Sequence, residues 1–560
     1  MPAATAATTD LHPVRPAANR RPRVWGALCA FLVSVSMLLA VSGVAVFAQS
    51  GAAGGPAFVP ATAVAYGEIR LDLPGDQHEQ LAAFMAHFPG FADPSTFDTK
   101  LDQILDQALS SATGGSATWT GNIRTWTNGQ VGAGLLALPA DMSSDEQPSV
   151  VIGVTVTDRA ALEVQLATMT TSDVSTEDYS GTTITTSGNS AYAITDQYLL
   201  VSAAAADVKV SLDVLAGSVP SLATSADYQA AAGSQPADHL GSFFLSTAAL
   251  KPLIEAQLGQ QAGGDMLVAQ LAQVPAWVGG YAQVAADHLT VAAGTQLAAG
   301  GIVPAVRETA IAAHFPADTL MFVETRDLGT TVDALLAQLK LQMAADPTSS
   351  QTIAGVEQGL GTTLDKLLDF VEDAGVGVSF DGQQLSAGIV ATLTDEASGG
   401  RRLQTLLGLL QLVSGGADAP LTVTTAEVGG ATVTTITLKP SADIPTGLPF
   451  EPAASIAISD GYLYLGVGDF AAAALAQDPA TSLATAPRYT VAVSAAGTPN
   501  AGVVWLDVAA AAPLLVAMGG GADAAYETDV KPWVDVVDSF VATVIVDGDI
   551  ASVKALLFVK

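Results

Sequence analysis

The chain has 560 residues, of which 49% are hydrophobic, and carries a net charge of −33 at pH 7. This length exceeds what one ordinary hydrophobic core supports, so the sequence predicts two or more domains. The strong negative charge repels nucleic acid and excludes a DNA-binding role. The single cysteine, Cys29, excludes an intramolecular disulfide and a cysteine-based structural zinc site.

An apolar segment without charges lies near the N-terminus, at residues 24–48. At about 1.5 Å per residue, a helix of this length crosses the roughly 30 Å hydrocarbon layer of a membrane. Residues 1–23 carry four arginines, which predicts a cytoplasmic N-terminus and export of the rest. We therefore predict a single-pass plasma-membrane protein whose bulk is extracytoplasmic. A cleaved signal peptide is the alternative, but so long an apolar stretch favours an uncleaved anchor.

Similar segments recur in the same order along the rest of the chain. The clearest are two hairpin patterns, Ala191–Ser202 and Ser455–Gly466, which turn at Asp196 and Asp460. Their order predicts a tandem duplication of a unit of roughly 250 residues. The predicted boundaries are a cytoplasmic N-terminus at 1–23, a transmembrane helix at 24–48, a linker at 49–56, repeat 1 at 57–303 and repeat 2 at 304–560.

Each repeat is predicted to be α+β, a mostly antiparallel sheet with helices packed on it. Strand patterns outnumber helix patterns, and short turns join most of them, without the regular β-α-β alternation of a doubly wound fold. Asp158 and Asp395 follow matching strand patterns and precede helix patterns. We predict that both cap helix N-termini and have no catalytic role.

Motifs for catalysis, metals and nucleotides are missing from the sequence. His78-Glu79 lacks the second histidine of a zinc protease, since residue 82 is Ala, and no Gly-x-Ser-x-Gly elbow or phosphate-binding Gly-x-x-x-x-Gly-Lys occurs. Gly466–Ala471 imitates a dinucleotide fingerprint, but it follows a hairpin strand. We therefore predict no catalytic residues, no metal site and no cofactor.

Two repeated charge pairs are the candidate binding residues. Glu68 and Arg70 recur as Glu324 and Arg326, and alternation along a strand places each pair on one face of the sheet. Such pairs would line a groove, or else form solvated ion pairs on an exposed strand face.

Two tryptophans beside prolines, Trp277 and Trp533, align in the predicted repeats. They serve either as a ligand platform or as inward anchors of the last hairpins.

One part of the first repeat resembles a known family. Leu71–Gln77, His87–Asp93 and Lys100–Asp106 together resemble bacterial membrane proteins catalogued as domain of unknown function 3352. In the second repeat Asp327–Thr331 replaces the Leu-Pro-Gly-Asp-Gln stretch. The resemblance implies a short arginine-bearing N-terminus, one membrane span and a long exported region, and it brings no catalytic residues.

The sequence therefore predicts a non-enzymatic binding or scaffolding module of the bacterial cell envelope. Its predicted partners are the membrane, through the N-terminal helix, and an envelope protein or polymer. The alternative is a carrier of a lipid or other apolar ligand in a cavity between sheet and helices. Packed cores with a polar groove favour the binder, whereas one continuous apolar cavity favours the carrier.

Overall fold

The computed structural model describes residues 55–560 apart from short gaps. The predicted N-terminus, transmembrane helix and most of the linker, up to residue 54, lie outside the described residues. The internal gaps are 114, 116, 140–146, 170–173, 259–273, 299–302, 344–352, 356, 359–361, 364–365, 367, 381, 383, 415–420, 440–451 and 519–525.

The helices that the structure describes contradict the predicted localisation, a single-pass anchor in the plasma membrane. None of them is long and apolar enough to cross a bilayer. The longest, Glu396–Ser414, includes Glu396, Arg401 and Arg402, and charged side chains of this kind are costly in hydrocarbon. The structure therefore gives no support for a single-pass plasma-membrane anchor.

Twenty strands form one continuous sheet in the described part of the chain, and every pairing is antiparallel. The first ten are β1 Ala65–Arg70, β2 Gln130–Ala137, β3 Ser149–Thr155, β4 Val174–Tyr179, β5 Thr182–Ser187, β6 Ser190–Ile194, β7 Tyr198–Ser202, β8 Gly241–Ser246, β9 Trp277–Ala285 and β10 His288–Gln296. The last ten are β11 Thr319–Thr325, β12 Val371–Phe380, β13 Leu385–Leu393, β14 Leu421–Val428, β15 Ala431–Leu438, β16 Ala453–Ser459, β17 Tyr462–Val467, β18 Gly502–Leu506, β19 Val537–Asp547 and β20 Ile550–Val559.

The pairing scheme of the N-terminal half (β1–β10) recurs in the C-terminal half (β11–β20). Across the sheet the order is β4-β5-β6-β7-β3-β2-β1-β8-β9-β10 and then β20-β19-β18-β11-β12-β13-β17-β16-β15-β14. The last strands of the two halves join them, and β4 and β14 are the two edges. The hairpins predicted around Asp196 and Asp460 are β6–β7 and β16–β17.

Helices pack against this sheet, which confirms the predicted α+β class. They are α1 Gln77–Met85, α2 Phe97–Thr113, α3 Arg159–Met169, α4 Ala205–Leu215, α5 Ala226–Gly233, α6 Thr247–Leu258, α7 Leu328–Met343, α8 Glu396–Ser414, α9 Phe470–Leu475, α10 Pro487–Ala496, α11 Val508–Met518 and α12 Lys531–Val534. The predicted caps are present. Oδ1 of Asp158 accepts from the Ala161 N–H at 2.9 Å, and Oδ1 of Asp395 accepts from the Ala397 N–H at 3.0 Å.

Buried aromatic rings fill the space between sheet and helices in each half. Phe58 and Trp277 are fully buried in the N-terminal half. In the C-terminal half Phe322 is fully buried and Phe315 is nearly so. Some rings lie directly on glycines of the strands, where any larger residue would collide. The Phe470 ring, for example, lies against Gly388 of β13.

Gly388→Ala is expected to lower the free energy of unfolding by about 2 kcal/mol, because the new methyl group overlaps the Phe470 ring. Gly400 of α8 is the matched control, since a methyl group there meets no neighbouring atom. Gly400→Ala should raise stability by about 0.5–1 kcal/mol through the better helix propensity of alanine. Urea unfolding of both variants tests this, and a Gly388→Ala protein as stable as the parent contradicts the packing described.

Candidate functional site

An open groove of about 860 Å³ lies in the N-terminal half. We call it the hairpin groove, because the ends of the β4–β5 and β6–β7 hairpins form it together with α3 and α4. Its lining residues are Arg159, Glu163, Leu166, Ala167, Tyr179, Ser180, Gly181, Thr182, Thr183, Thr185, Tyr192, Ile194, Thr195, Asp196, Gln197, Tyr198, Leu212, Leu215 and Ala216. Most of the exposed groups are hydroxyls, an amide and charged side chains.

The groove exists because two paired strands separate before they end. β5 and β6 pair as far as Ile184 opposite Ala193, and their register stops there. Beyond that point β5 stays paired with β4, so that Tyr179 still lies opposite Thr182. β6 stays paired with β7. The two hairpin ends therefore diverge and leave a gap between them. The turn of the second hairpin is fixed by the Thr195 hydroxyl oxygen, which accepts from the Tyr198 N–H at 2.9 Å.

Charged groups of both signs lie at one wall of the groove. The Arg159 guanidinium donates from Nε to Oε1 of Glu163 at 2.9 Å and lies 3.9 Å from Oδ1 of Asp196. All three side chains are exposed, and Asp196 is fully so. Because exposed ion pairs of this kind contribute little to stability, their groups can exchange partners with a ligand at small cost.

The opposite wall is held in place by Tyr179. Its hydroxyl donates to Oδ2 of Asp213 at 3.0 Å, and this hydrogen bond raises the pKa of Tyr179. Nζ of Lys209 lies 5.4 Å from the centre of the Tyr179 ring and 2.9 Å from Oε2 of Glu177. These contacts fix α4 against the β4–β5 hairpin and therefore fix the width of the groove.

The predicted pair Glu324 and Arg326 is buried rather than exposed. The two side chains are each 3% exposed, and Nη1 of Arg326 lies 3.1 Å from Oε1 of Glu324. Arg326 also donates from Nε to the Arg307 carbonyl oxygen at 3.2 Å and from Nη2 to Oδ1 of Asn500 at 3.2 Å. Burial raises the pKa of Glu324, against the opposing effect of Arg326. The alternative of a solvated ion pair on an exposed strand face is therefore wrong for this pair.

A second arginine extends this cluster towards the surface. Arg307 donates from Nε to Oδ2 of Asp373 at 2.9 Å and from Nη2 to Oδ1 of Asp327 at 2.8 Å. These hydrogen bonds raise the pKa of Arg307 further above its usual range. In this cluster two arginines, Arg307 and Arg326, are thus held by ion pairs to neighbouring carboxylates.

The equivalent pair in the N-terminal half is arranged differently. Arg70 forms an ion pair with Asp72, 3.1 Å from Nε to Oδ1. Glu68 is 1% exposed and accepts a short hydrogen bond from the Tyr66 hydroxyl, while its Oε1 has no hydrogen-bond partner. Burial raises the pKa of Glu68 to about 7, although the Tyr66 hydroxyl and Arg70 act in the opposite direction.

Histidine and asparagine occupy the same place beside these arginines in the two halves. β8 pairs with β1 and β18 pairs with β11, and in these pairings Gly241 and Gly502 hold equivalent positions. His239 and Asn500 each lie two residues before these glycines. His239 is fully buried. Burial lowers the pKa of His239 to about 4, and the nearby Arg70 acts in the same direction.

The predicted alignment of Trp277 with Trp533 is wrong. Trp277 lies opposite Ser246 in the β8–β9 ladder, and the equivalent place in the second half is taken by Ser539. Trp277 is fully buried, in the inward position that one alternative expected. Trp533 is 45% exposed and contacts the ring of Phe88, with 5.8 Å between ring centres.

Among the described residues, no group of three or more His, Cys, Asp or Glu side chains could hold a metal ion. The groove itself was missed by sequence reasoning. Its Asp196 turn was recognised as a hairpin, but the divergence of β5 from β6 depends on strand pairing that leaves no local pattern. Exposed threonines and charged residues in such a region are also the ordinary composition of a surface.

Comparison with known proteins gives a family and a distant structural likeness. A family model described as Protein of unknown function (DUF3352) matches residues 24–520, and the chain belongs to this family. The family predicted from residues 71–106 is thus confirmed, although the match does not show membrane anchoring. No curated protein matches the chain.

Two solved structures similar to the chain are crystal forms of TP0453. Crystal form III is 10% identical, covers 46% of this chain and 84% of its own, and has a TM-score of 0.24. Crystal form I is 10% identical, covers 46% and 83%, and has a TM-score of 0.23.

Proposed function

We propose that this DUF3352 protein is a non-enzymatic binding protein that holds a hydroxyl-rich polymer, such as a glycan chain, in the hairpin groove. The observation that carries the proposal is the groove itself, an open cleft whose exposed groups are mainly hydrogen-bonding. Thr182, Thr183 and Thr185 supply hydroxyls that donate and accept. Gln197 and the charged groups on the opposite wall supply the paired donors and acceptors that sugar hydroxyls require.

The ligand is expected to be neutral or cationic. The chain carries a net charge of −33, and its field repels anionic polymers at long range. In the groove, the negative charges of Glu163 and Asp196 outweigh the positive charge of Arg159, so the groove is also negatively charged. An anionic glycan would therefore bind more weakly than a neutral one of the same length, and the difference should shrink as salt is added.

A carrier of an apolar ligand is less consistent with the packing. Such a carrier needs a cavity between sheet and helices, and in the described residues that space contains aromatic rings such as Phe58, Phe315 and Phe470. The polar lining of the hairpin groove is also unlike the mainly apolar lining of pockets for small hydrophobic ligands. We therefore prefer the binding protein.

We also propose that the two halves arose by tandem duplication and that only the first kept the groove. Strand pairing places Glu396 and Gly400 where the first half has Arg159 and Glu163. Oε2 of Glu396 accepts from the Gly461 N–H at 2.9 Å, which ties the helix directly to the hairpin turn. The second half therefore lacks the arginine that lines one wall of the groove in the first half. One ligand is therefore expected for each chain.

Blocking the groove provides the test. Thr183 is exposed on β5, and Thr183→Tyr places a ring in the groove. We expect isothermal titration calorimetry to find one binding site per chain for a neutral chitin hexamer, and at least tenfold weaker binding for Thr183→Tyr. Thr432→Tyr is the matched control, because Thr432 is the equivalent exposed residue of β15 and should leave binding unchanged.

Other probes decide between the alternatives. Equal affinity of the parent and Thr183→Tyr for the hexamer, or no affinity for neutral, cationic and anionic glycan hexamers alike, overturns the proposal. Binding of palmitate that both tyrosine variants leave intact would instead support the carrier.

A further inference from the structure

β14 is one of the two edge strands of the sheet in the described residues. β14 pairs with β15 on one side, and among the described residues no strand pairs with its other side. Its stretch Leu421–Val428 contains one charged residue, Glu427, and is rich in threonine and valine. Strands of this composition favour pairing, and natural proteins usually protect such edges with charges or proline.

The turn next to β14 defines which backbone groups point outward. Val428 lies opposite Ala431, and Gly429 and Gly430 between them have φ of +59° and +87°. These values are typical of a two-residue type I′ turn, which begins with a hydrogen-bonded pair. Since hydrogen-bonded pairs alternate along an antiparallel ladder, Val423, Thr425 and Glu427 direct their N–H and C=O groups to the free side.

This pattern is complementary to itself. When a second β14 is placed antiparallel on the free side, Thr424 can lie opposite Thr424 of the other copy. Val423 then lies opposite Thr425, and both are outward-directed residues, as a ladder requires. Glu427 lies opposite Leu421, so no like charges meet across the pair. A symmetric contact of this kind is the usual way in which two copies of one chain associate.

The junction within the sheet already uses this geometry. In the β10–β20 pair, Ala292 lies opposite Lys554. These two residues hold the same place in their hairpins, since Ala292 pairs with Tyr281 and Lys554 with Thr543. Equivalent strands of the two halves therefore meet antiparallel, with equivalent residues face to face. β14 would extend the same sheet by the same kind of contact.

The other edge, β4, is protected. Glu177 and Asp178 are adjacent in it, and Lys209 reaches from α4 to Glu177. β4 is also shorter than β14, with six residues rather than eight. Adjacent charges on an edge strand discourage the addition of another strand.

We propose that β14 is a homodimer interface, at which two copies of this chain pair their edge strands antiparallel about Thr424. The contact is small, so we expect a weak dimer that is populated at high protein concentration. Because each chain carries a charge of −33, the dimer fraction should rise with ionic strength.

Proline at the outward positions tests the surface. Thr425→Pro removes an outward N–H without breaking the β14–β15 ladder and should lower the dimer fraction at least tenfold in sedimentation equilibrium of the full chain. Thr176→Pro is the matched control at the equivalent outward position of β4 and should leave the dimer unchanged. Association through any other part of the chain would survive Thr425→Pro, and that result overturns the proposal, as does a parent protein that stays monomeric at high concentration and salt.

Cysteine trapping tests the register independently of affinity. In a Cys29→Ser background, Thr424→Cys places two thiols opposite each other at a non-hydrogen-bonded pair, where Cα atoms lie about 4.5 Å apart, within disulfide range. We expect a disulfide-linked dimer on mild oxidation, and none from Ser175→Cys at the equivalent position of β4. Equal crosslinking of the two variants contradicts pairing about Thr424.

Discussion

Arg326→Met is expected to lower the free energy of unfolding by about 3–5 kcal/mol, because it leaves the Glu324 carboxylate buried without its cation. The Glu324 side chain is 3% exposed, so water cannot replace the lost charge. The substitution also removes the donors to Asn500 and to the Arg307 carbonyl. Urea unfolding followed by circular dichroism measures the change.

The equivalent arginine of the first half is the matched control for this prediction. Arg70→Met should cost only about 1 kcal/mol, because Asp72, an ion-pair partner of Arg70, is 28% exposed and stays hydrated alone. Adding Glu324→Gln to Arg326→Met should recover part of the loss, since it removes the stranded charge. Equal effects of Arg326→Met and Arg70→Met would show that the buried pair has no special role in stability.

The fold class was predictable because its signals are local. The two hairpins around Asp196 and Asp460 follow from β-rich runs on each side of a turn, and the caps Asp158 and Asp395 from their place between strand and helix. The joining of both halves into one sheet was not predictable. It depends on the pairing of β10 with β20, which are more than 250 residues apart in the sequence. No local property of either strand predicts that partner.

The outcome for the candidate residues has a similar cause. Alternation predicted that Glu68 and Arg70, and likewise Glu324 and Arg326, share one face of a strand. It could not tell that helices and loops cover that face, so charged residues that looked solvated are buried. The contacts of Arg326 also depend on a neighbour from a distant segment, Asn500. Composition also could not reveal the hairpin groove, because its residues resemble any polar surface.

Glu68→Gln is expected to stabilise the protein by about 3 kcal/mol at pH 8 and by about 1 kcal/mol or less at pH 5. The pKa of Glu68 rises from an ordinary 4.5 to about 7 in the folded state, and this difference corresponds to about 3 kcal/mol. The folded state therefore holds the proton to higher pH than the unfolded state. The stabilisation linked to Glu68 is fully present below pH 4.5 and is lost as the pH rises through 7. Glutamine stays neutral throughout and avoids this loss.

The same substitution at the equivalent residue of the second half should have the opposite sign. Glu324→Gln leaves Arg326 buried without its anion, so we expect a loss of stability at both pH 5 and pH 8. Comparing each variant with the parent at the same pH removes the contribution of all other titrating groups. If Glu68→Gln instead destabilised the protein at pH 8, Glu68 would have to form an ion pair in the folded state. The two halves, alike in their strands, would then also be alike in their buried charge.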